Sequence, residues 1–271
     1  MVTVGRLPSV EATVNPKVMV SGLGFLLVPA SVSPTKAGTS TKPKPETVTF
    51  GFTVASTDGN RPTVTTDYVI AFGNKIKSHR SFFKGSKTCS IAKAGYSSGA
   101  APTCPSGSKA GSGSVNNIAG ATLDPTSKIP CYLALTLFVG DGKSVPPSAN
   151  DGIPVKNDLV LALRGGPNSN PARNCSLDVN GAIAGQFTTT SRGTALKFHV
   201  KKSPFQQPLP GIDNSVVGVS SKVGKTVRVS GKTRGLLEST GCTNRAHPVN
   251  VLFTDASKAV KTASKNAPCT K

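Results

Sequence analysis

Two alternating apolar segments between Pro130 and Arg164 constrain the fold more than any other part of the chain. Leucine or valine occupies every second position from 133 to 139, and leucine does so from 159 to 163. Because successive side chains of a strand point to opposite faces, each row must be covered by other residues. Asp141-Gly142 and Pro146-Pro147 between the rows exclude a continuous helix. The segment predicts a pair of core strands onto which the remaining strands build.

Alternating patterns recur along the chain and predict an all-β fold. They favour a hairpin over residues 47–73, a second over 182–201, and two short strands at 249–253 and 258–263. The 28 glycines and 21 prolines suit many short strands and turns. We expect an antiparallel β-sandwich over residues 47–271, with two fused sandwiches meeting near residues 165–180 as the alternative.

The first 46 residues divide into two parts. The apolar run 18–28 fits the core of an export signal within residues 1–32, and it is too short to span a bilayer as a helix. A buried N-terminal strand and a misassigned start are the other interpretations. Residues 33–46 are rich in proline, lysine and threonine, and are expected to form a linker or an exposed edge.

The six cysteines are even in number and contain no C-x-x-C. No histidine lies at zinc-finger spacing from any of them, so disulfides in an oxidising compartment are favoured over a metal site. Six cysteines allow 15 pairings. A sequential pairing is our hypothesis: Cys89–Cys104, Cys131–Cys175 and Cys242–Cys269. On the chain-entropy argument each bridge stabilises the fold by about 3–4 kcal/mol.

A formal net charge of +20, from 32 basic and 12 acidic residues, predicts attraction to anionic polymers. Two segments concentrate this charge, at 75–87 and 222–234. Four basic residues of the second segment lie at even-numbered positions. If a single strand continued through the segment, they would share one face and form a basic ladder about 20 Å long. The same residues could simply protect an exposed sheet against edge pairing. The candidate polyanion-binding residues are Lys222, Arg228, Lys232, Arg234, Lys75, Lys77, Arg80, Lys84 and Lys87.

The segment 75–87 also interleaves its cations with Phe82 and Phe83. Aromatic rings among basic residues could stack on and neutralise a single nucleic-acid strand. The alternative is a connection whose phenylalanines fill the core while its lysines face water. We favour the second interpretation, and keep a nucleic-acid-binding module as an alternative function.

No catalytic, metal or cofactor motif emerges. The Gly-rich stretch after Cys104 lacks a phosphate-loop pattern, and no G-x-S-x-G is present. Of the histidines, His79 lies in the basic stretch, His199 alternates with lysines on an expected solvated face, and His247 precedes a proline. We therefore expect no catalytic residue, metal or cofactor. A hydrolase with an unrecognised site, built on two carboxylates or on a serine with His79 or His247, is a further alternative.

Three short segments resemble known proteins: residues 33–45, residues 104–113, and residues 236–242 followed by 251–255. They are similar to a group of uncharacterised secreted β-rich proteins of high-GC Gram-positive bacteria. The resemblance implies export and an all-β fold, and brings no functional residues with it. We expect a non-catalytic extracellular or cell-wall-associated protein without a transmembrane span, which binds anionic surface polymers weakly.

Overall fold

The computed structural model describes residues 18–20, 23–95, 102–165, 175, 177 and 179–271, and these form mostly β-strands. The strands of the first half are β1 (Val18–Val20), β2 (Leu23–Ser33), β3 (Lys44–Ser56), β4 (Thr65–Ala71), β5 (Ile76–Ser78), β6 (Lys109–Ala121), β7 (Ile129–Val139) and β8 (Leu159–Gly165). Those of the second half are β9 (Asn180–Thr190), β10 (Gly193–His199), β11 (Ile212–Val223), β12 (Thr226–Val229), β13 (Lys232–Gly235), β14 (Leu237–Ser239), β15 (Ala246–Asp255) and β16 (Val260–Pro268). The helical segments are short: Arg80–Phe82, Gly85–Lys87, α1 (Ile91–Ala94), Ser106–Ser108, Pro147–Ala149 and Lys202–Gln206.

Fourteen of these strands join by antiparallel pairing into one continuous sheet. Its main path runs β1-β2-β3-β11-β6-β7-β8-β9-β10-β4-β15-β16, and β14 links β3 to β5. The hairpin of β12 and β13 stands apart as a two-stranded sheet. The predicted core pair is confirmed, since β7 and β8 place Leu135 opposite Leu163 and Leu137 opposite Leu161.

The all-β class and the antiparallel strands are confirmed, and so are the three disulfides in the expected pairing. Cys89 is bonded to Cys104, Cys131 to Cys175 and Cys242 to Cys269. A sandwich of two separate sheets stays a prediction, because the strands are hydrogen-bonded into one sheet. The strands β8 and β9, on either side of residues 166–178, pair directly. The sheet therefore continues across the position where a second sandwich was expected to meet the first.

Most of the buried apolar side chains belong to one large cluster inside the sheet, and a smaller cluster forms around Cys89, Phe138 and Val160. Side chains from strands far apart in the order of the sheet meet in the large cluster, as Phe50 on β3 and Phe72 after β4 do, with ring centres 6.2 Å apart. The segment between β2 and β3 also approaches the residues after β16, because the amide of Ala37 donates to the carbonyl of Thr270 and the amide of Thr270 donates to the carbonyl of Thr35. The inward rows of leucine and phenylalanine thus cover one another.

The predicted hairpin over residues 47–73 is wrong in its pairing. Both strands form, but β3 pairs with β2, β11 and β14, whereas β4 pairs with β10 and β15. Their aromatic rows meet across the interior instead, where the ring centres of Phe52 and Tyr68 lie 5.7 Å apart. Alternation shows that one face of a strand is buried, and it does not show which strand lies beside it.

The hairpins predicted in the second half of the chain are confirmed. The strands β9 and β10 pair with each other, with Gly185 opposite Phe198 at one end and Thr190 opposite Gly193 at the other. The last two strands, β15 and β16, likewise pair with each other.

The segment 33–46 is not a free linker. Ala37 is buried, its backbone is bonded to the C-terminal tail, and β3 has already begun at Lys44. Glu46, which was assigned to the exposed segment, is 3% exposed. The backbone from residue 23 to 33 runs in β2, while residues 1–17 lie outside the described part, so the export signal stays a prediction.

Candidate functional site

The two basic segments, 75–87 and 222–234, meet at one end of the sheet. Strand β14 lies between β5 and the start of β3, with Leu237 opposite both Ser78 and Glu46. The guanidinium carbon of Arg234 lies 4.2 Å from the ring centre of Phe82, which ties the β12–β13 hairpin to the other segment. Sequence separation hid this neighbourhood, since more than 130 residues divide the two segments.

Further lysines join the same end through strand register. Val223, at the end of β11, lies opposite both Val48 on β3 and Gly111 on β6. The starts of β3 and β6 therefore lie beside the end of β11. The short turns Gly85–Lys87 and Ser106–Ser108 also pack together, so that a Cβ on Gly107 would lie 2.9 Å from the carbonyl oxygen of Ser86.

We call this surface the basic end. Its exposed or half-buried cations are Lys42, Lys44, Lys75, Lys77, Lys84, Lys87, Lys109, Lys222, Lys225, Arg228 and Lys232. The acidic residues of the segments that build it, 42–46, 75–87, 105–112 and 222–239, are Glu46 and Glu238. Both are buried, at 3% and 0% exposure, so neither presents a carboxylate to solvent.

The predicted ladder on one strand face is wrong. β11 ends at Val223, and a two-residue turn at Ser230 and Gly231, with φ of 47° and 76°, reverses the chain between β12 and β13. Arg228 lies opposite Thr233, whereas Arg234 lies opposite Val227. Because directly opposed residues of an antiparallel pair share a face, Arg228 and Arg234 point to opposite faces of the hairpin. The cations are gathered by the fold and not by one strand.

Two of the predicted binding residues hold the structure together instead. Arg80 is half-buried, and its Nε donates to the carbonyl of Gly140 at 3.1 Å. Arg234 donates from Nε at 2.9 Å and from a terminal nitrogen at 2.8 Å to the two oxygens of Glu238. The role of the other predicted cations in binding stays a prediction.

Glu238 is the anchor below the basic end. Its side chain is 0% exposed, and it also accepts the backbone amide of Gly235 at 2.8 Å. Burial by itself raises the pKa of this carboxyl, but the hydrogen bonds from Arg234 and Gly235, together with the nearby charges, more than offset burial and lower the pKa. Glu238 is therefore ionised at neutral pH, and it holds the hairpin through a forked ion pair.

The two phenylalanines that the nucleic-acid alternative would stack on bases are not free to do so. Phe83 is 0% exposed within the core. Phe82 is half-buried, stacks on His79 with ring centres 5.0 Å apart, and contacts Arg234. Burial lowers the pKa of His79, an effect that the charge of Glu238 opposes. Both rings are used inside the protein, as the second interpretation of this stretch proposed.

The carboxylates in the described part of the chain form no direct ion pair with a lysine. Among the residues that the structure describes, the ion pairs join acids to Arg61, Arg234 and the three histidines, and none includes a lysine. Several acids are instead committed to their own turns. Asp58 accepts the amide of Asn60, Asp124 that of Thr126, and Asp255 that of Ser257. The lysines of the basic end therefore have no direct acidic partner within the described part of the chain.

A serine and a histidine do meet, although not as a hydrolase would need. Ser239 Oγ lies 3.4 Å from His247 Nε2, and Glu46 Oε1 lies 3.6 Å from the same nitrogen. In a catalytic triad the carboxylate orients the histidine through its other nitrogen. Here His247 Nδ1 has no hydrogen-bond partner among the described residues, and all three side chains are buried. The geometry offers neither an oriented base nor access for a substrate.

His199 is not on a solvated lysine face as expected. Its Nδ1 lies 2.9 Å from Asp67 and its Nε2 lies 3.3 Å from Asp151. The side chain is 12% exposed, so the two carboxylates bracket the ring at the edge of the core. Period-two alternation alone could not reveal Asp151, which lies on a distant loop.

The apolar interior contains a cavity of about 70 Å³. Most of its lining is aliphatic or aromatic, and the side-chain carbonyl oxygens of Asn117 and Asn214, two of its lining residues, have no hydrogen-bond partner. Pockets for drug-sized ligands measure about 300–1,000 Å³. The cavity therefore has room for a few water-sized molecules, and does not suit a larger ligand.

Comparison with known proteins does not identify a relative of this chain. No protein-family model matches the chain, and no curated protein matches it. None of the helices in the described part of the chain has the length and apolar character that a bilayer crossing requires.

Proposed function

We propose that this chain is an exported, non-catalytic protein whose basic end binds anionic polymers of a cell surface weakly and electrostatically. The observation that carries the proposal is the uncompensated charge. Eleven exposed or half-buried cations gather at one end of the sheet, where Glu46 and Glu238 are buried and no described lysine forms an ion pair.

The physical basis is the exchange of small counterions. A polyanion that meets a cluster of lysines releases its condensed cations, and the affinity arises mainly from that release. A lysine held by an acidic neighbour would first have to give up that partner. Among the described residues the lysines of the basic end have no such partner, so each can contribute its full charge.

The three disulfides support the location. Cross-links of this kind persist in oxidising compartments and are rare in reducing ones. Extracellular or cell-wall-associated placement is the setting in which a protein of net charge +20 meets anionic wall polymers.

The nucleic-acid alternative loses the feature that favoured it. Sequence-tolerant binding of single strands depends on exposed rings as stacking platforms. Phe83 is buried, and Phe82 is occupied by His79 and Arg234. What remains is charge, which does not distinguish a nucleic acid from another polyanion.

A charge-matched pair of variants tests the proposal. The first carries Lys→Gln at Lys77, Lys84, Lys222 and Lys232 of the basic end. The control carries Lys→Gln at four exposed lysines outside the basic end, Lys128, Lys202, Lys258 and Lys265. Both lower the net charge by four.

Binding to a sulfated polysaccharide of the heparin type is measured at low salt for both variants. A lysine near an anionic surface contributes about 1 kcal/mol, so we expect the basic-end variant to lose about 100-fold or more in affinity. The control should lose less than about tenfold. Equal losses in the two variants would overturn the basic end as the binding surface, and no loss in either would overturn the electrostatic function.

A further inference from the structure

A buried polar cluster lies beneath the basic end, around the Cys242–Cys269 disulfide. Three strands and two flanking segments supply its members: Glu46 from β3, Ser239 from β14, His247 from β15, Cys242 from the β14–β15 loop and Cys269 after β16. His247 Nε2 lies 3.1 Å from Cys269 Sγ and 3.6 Å from Glu46 Oε1. The polyanion surface makes no use of this cluster.

The carboxylate of Glu46 is unusual in such a buried position. Its side chain is 0% exposed, and neither oxygen accepts a hydrogen bond from a described residue. An ionised carboxylate without hydrogen bonds is costly in a protein interior, and such groups are normally paired or bound to a metal. Among the described residues the ion pair of Glu46 is with His247, at a distance too long for a hydrogen bond.

We propose that Cys242, Cys269, His247 and Glu46 form a binding site for a zinc-like divalent cation once the Cys242–Cys269 disulfide is reduced. Two thiolates, one imidazole and one carboxylate are ligands that zinc accepts in a tetrahedral site. Nitrogen, oxygen and sulfur ligands about 2.0–2.3 Å from a tetrahedral zinc lie about 3.3–3.8 Å from one another. The separations of 3.1 and 3.6 Å around His247 Nε2 are already close to that range.

Reduction and binding are two balanced steps. A dithiol reductant transfers two electrons and two protons to the disulfide, gives two cysteine thiols and becomes a cyclic disulfide itself. The cation then displaces the two thiol protons and is held by the two thiolates, His247 Nε2 and Glu46. In the oxidised protein both sulfurs are committed to their mutual bond, so the site is closed to metal.

The other two disulfides lack these neighbours. Among the described residues, the grouping of at least three cysteine, histidine or carboxylate ligands within reach of one ion is that of Cys242, His247 and Cys269, whose ligand atoms all lie within 4.8 Å of one another. Cys89–Cys104 therefore provides a matched control, as a second reducible pair in the same chain.

Cobalt(II) is a suitable probe, because thiolate ligands give it a charge-transfer absorption in the near ultraviolet. The full chain is reduced with a dithiol, desalted without oxygen and titrated with Co²⁺, while circular dichroism monitors folding. We expect one Co²⁺ per chain with thiolate absorption in the reduced protein, and no such absorption in the oxidised protein. Zinc should displace the cobalt.

Variants assign the ligands. The double variant Cys242→Ser with Cys269→Ser should lose the absorption, whereas Cys89→Ser with Cys104→Ser should keep it. Glu46→Gln should keep the sulfur absorption but weaken zinc binding by at least about tenfold. Three results would overturn the proposal: no absorption in the reduced wild type, absorption that survives the loss of Cys242 and Cys269, or binding only to an unfolded chain.

Discussion

The substitution Arg234→Ala tests how the basic end is anchored. It removes both hydrogen bonds from the guanidinium to Glu238. Among the described residues, the polar partners left to this carboxylate, whose side chain is 0% exposed, are the Gly235 amide and His79. Breaking a buried pair by removing one partner costs about 3–5 kcal/mol. Arg234 itself is 28% exposed, so water can partly replace it, and we take the lower limit of about 3 kcal/mol.

The contact between Arg234 and Phe82 adds to this loss. A cation over an aromatic ring contributes about 0.5–1 kcal/mol at a partly exposed site. The expected total is about 3–4 kcal/mol, which lowers the melting temperature of a chain this long by about 10 °C. Arg228→Ala, an exposed arginine of the same hairpin, is the control and should cost less than about 0.5 kcal/mol.

The pH dependence gives a second, independent signature. The pKa of Glu238 is lowered in the native protein, so its stabilisation is present above the ordinary carboxyl value of 4.5 and is lost as the pH falls through the lowered value. The gap between wild type and Arg234→Ala should therefore be largest near neutral pH and should shrink in acid.

Urea unfolding with intact disulfides, followed by circular dichroism at several pH values, measures both effects. A loss no larger than that of Arg228→Ala at neutral pH would refute the buried ion pair as the anchor. A gap that does not change with pH would refute the role of the Glu238 charge.

Two further substitutions examine the sheet and its cross-links. Gly113→Ala should destabilise the protein by about 1–3 kcal/mol in chemical denaturation, because a Cβ there would overlap the carbonyl oxygen of Ser220. The control Gly95→Ala should be tolerated, because its Cβ would lie 3.9 Å from the nearest atom. Equal losses of stability in the two variants would contradict the close approach of β6 and β11. Loss of the Cys131–Cys175 bridge, which closes a loop of 44 residues, should cost about 4 kcal/mol, against about 3 kcal/mol for the 15-residue loop of Cys89–Cys104. Melting of the two double Cys→Ser variants checks this order, and a clearly larger loss for the shorter loop would contradict the chain-entropy argument.

The sequence was sufficient for the local elements and for the disulfides. Rows such as Leu133 to Val139 identify strands because alternation is a local property of the backbone. The cysteine pairing could be predicted because each disulfide joins neighbouring cysteines along the chain.

The partners of each strand could not be predicted in the same way. Phe52 and Tyr68 alternate as hairpin strands would, yet they face each other across the interior while their strands pair elsewhere. Glu46 and Glu238 appeared as ordinary polar residues, because nothing local indicates that distant strands will bury them. The basic end depends on the same long-range register. The net charge therefore predicted attraction to polyanions, but not which cations gather at one end of the sheet.

The dependence of polyanion affinity on salt tests the proposed function most directly. The logarithm of the affinity for a heparin-type polysaccharide is plotted against the logarithm of the salt concentration for the wild-type protein. If the lysines of the basic end displace counterions, each contact contributes a slope of about −0.7 to −0.9, and we expect a total steeper than about −3. An affinity that stays the same from low to high salt would contradict electrostatic binding by the basic end.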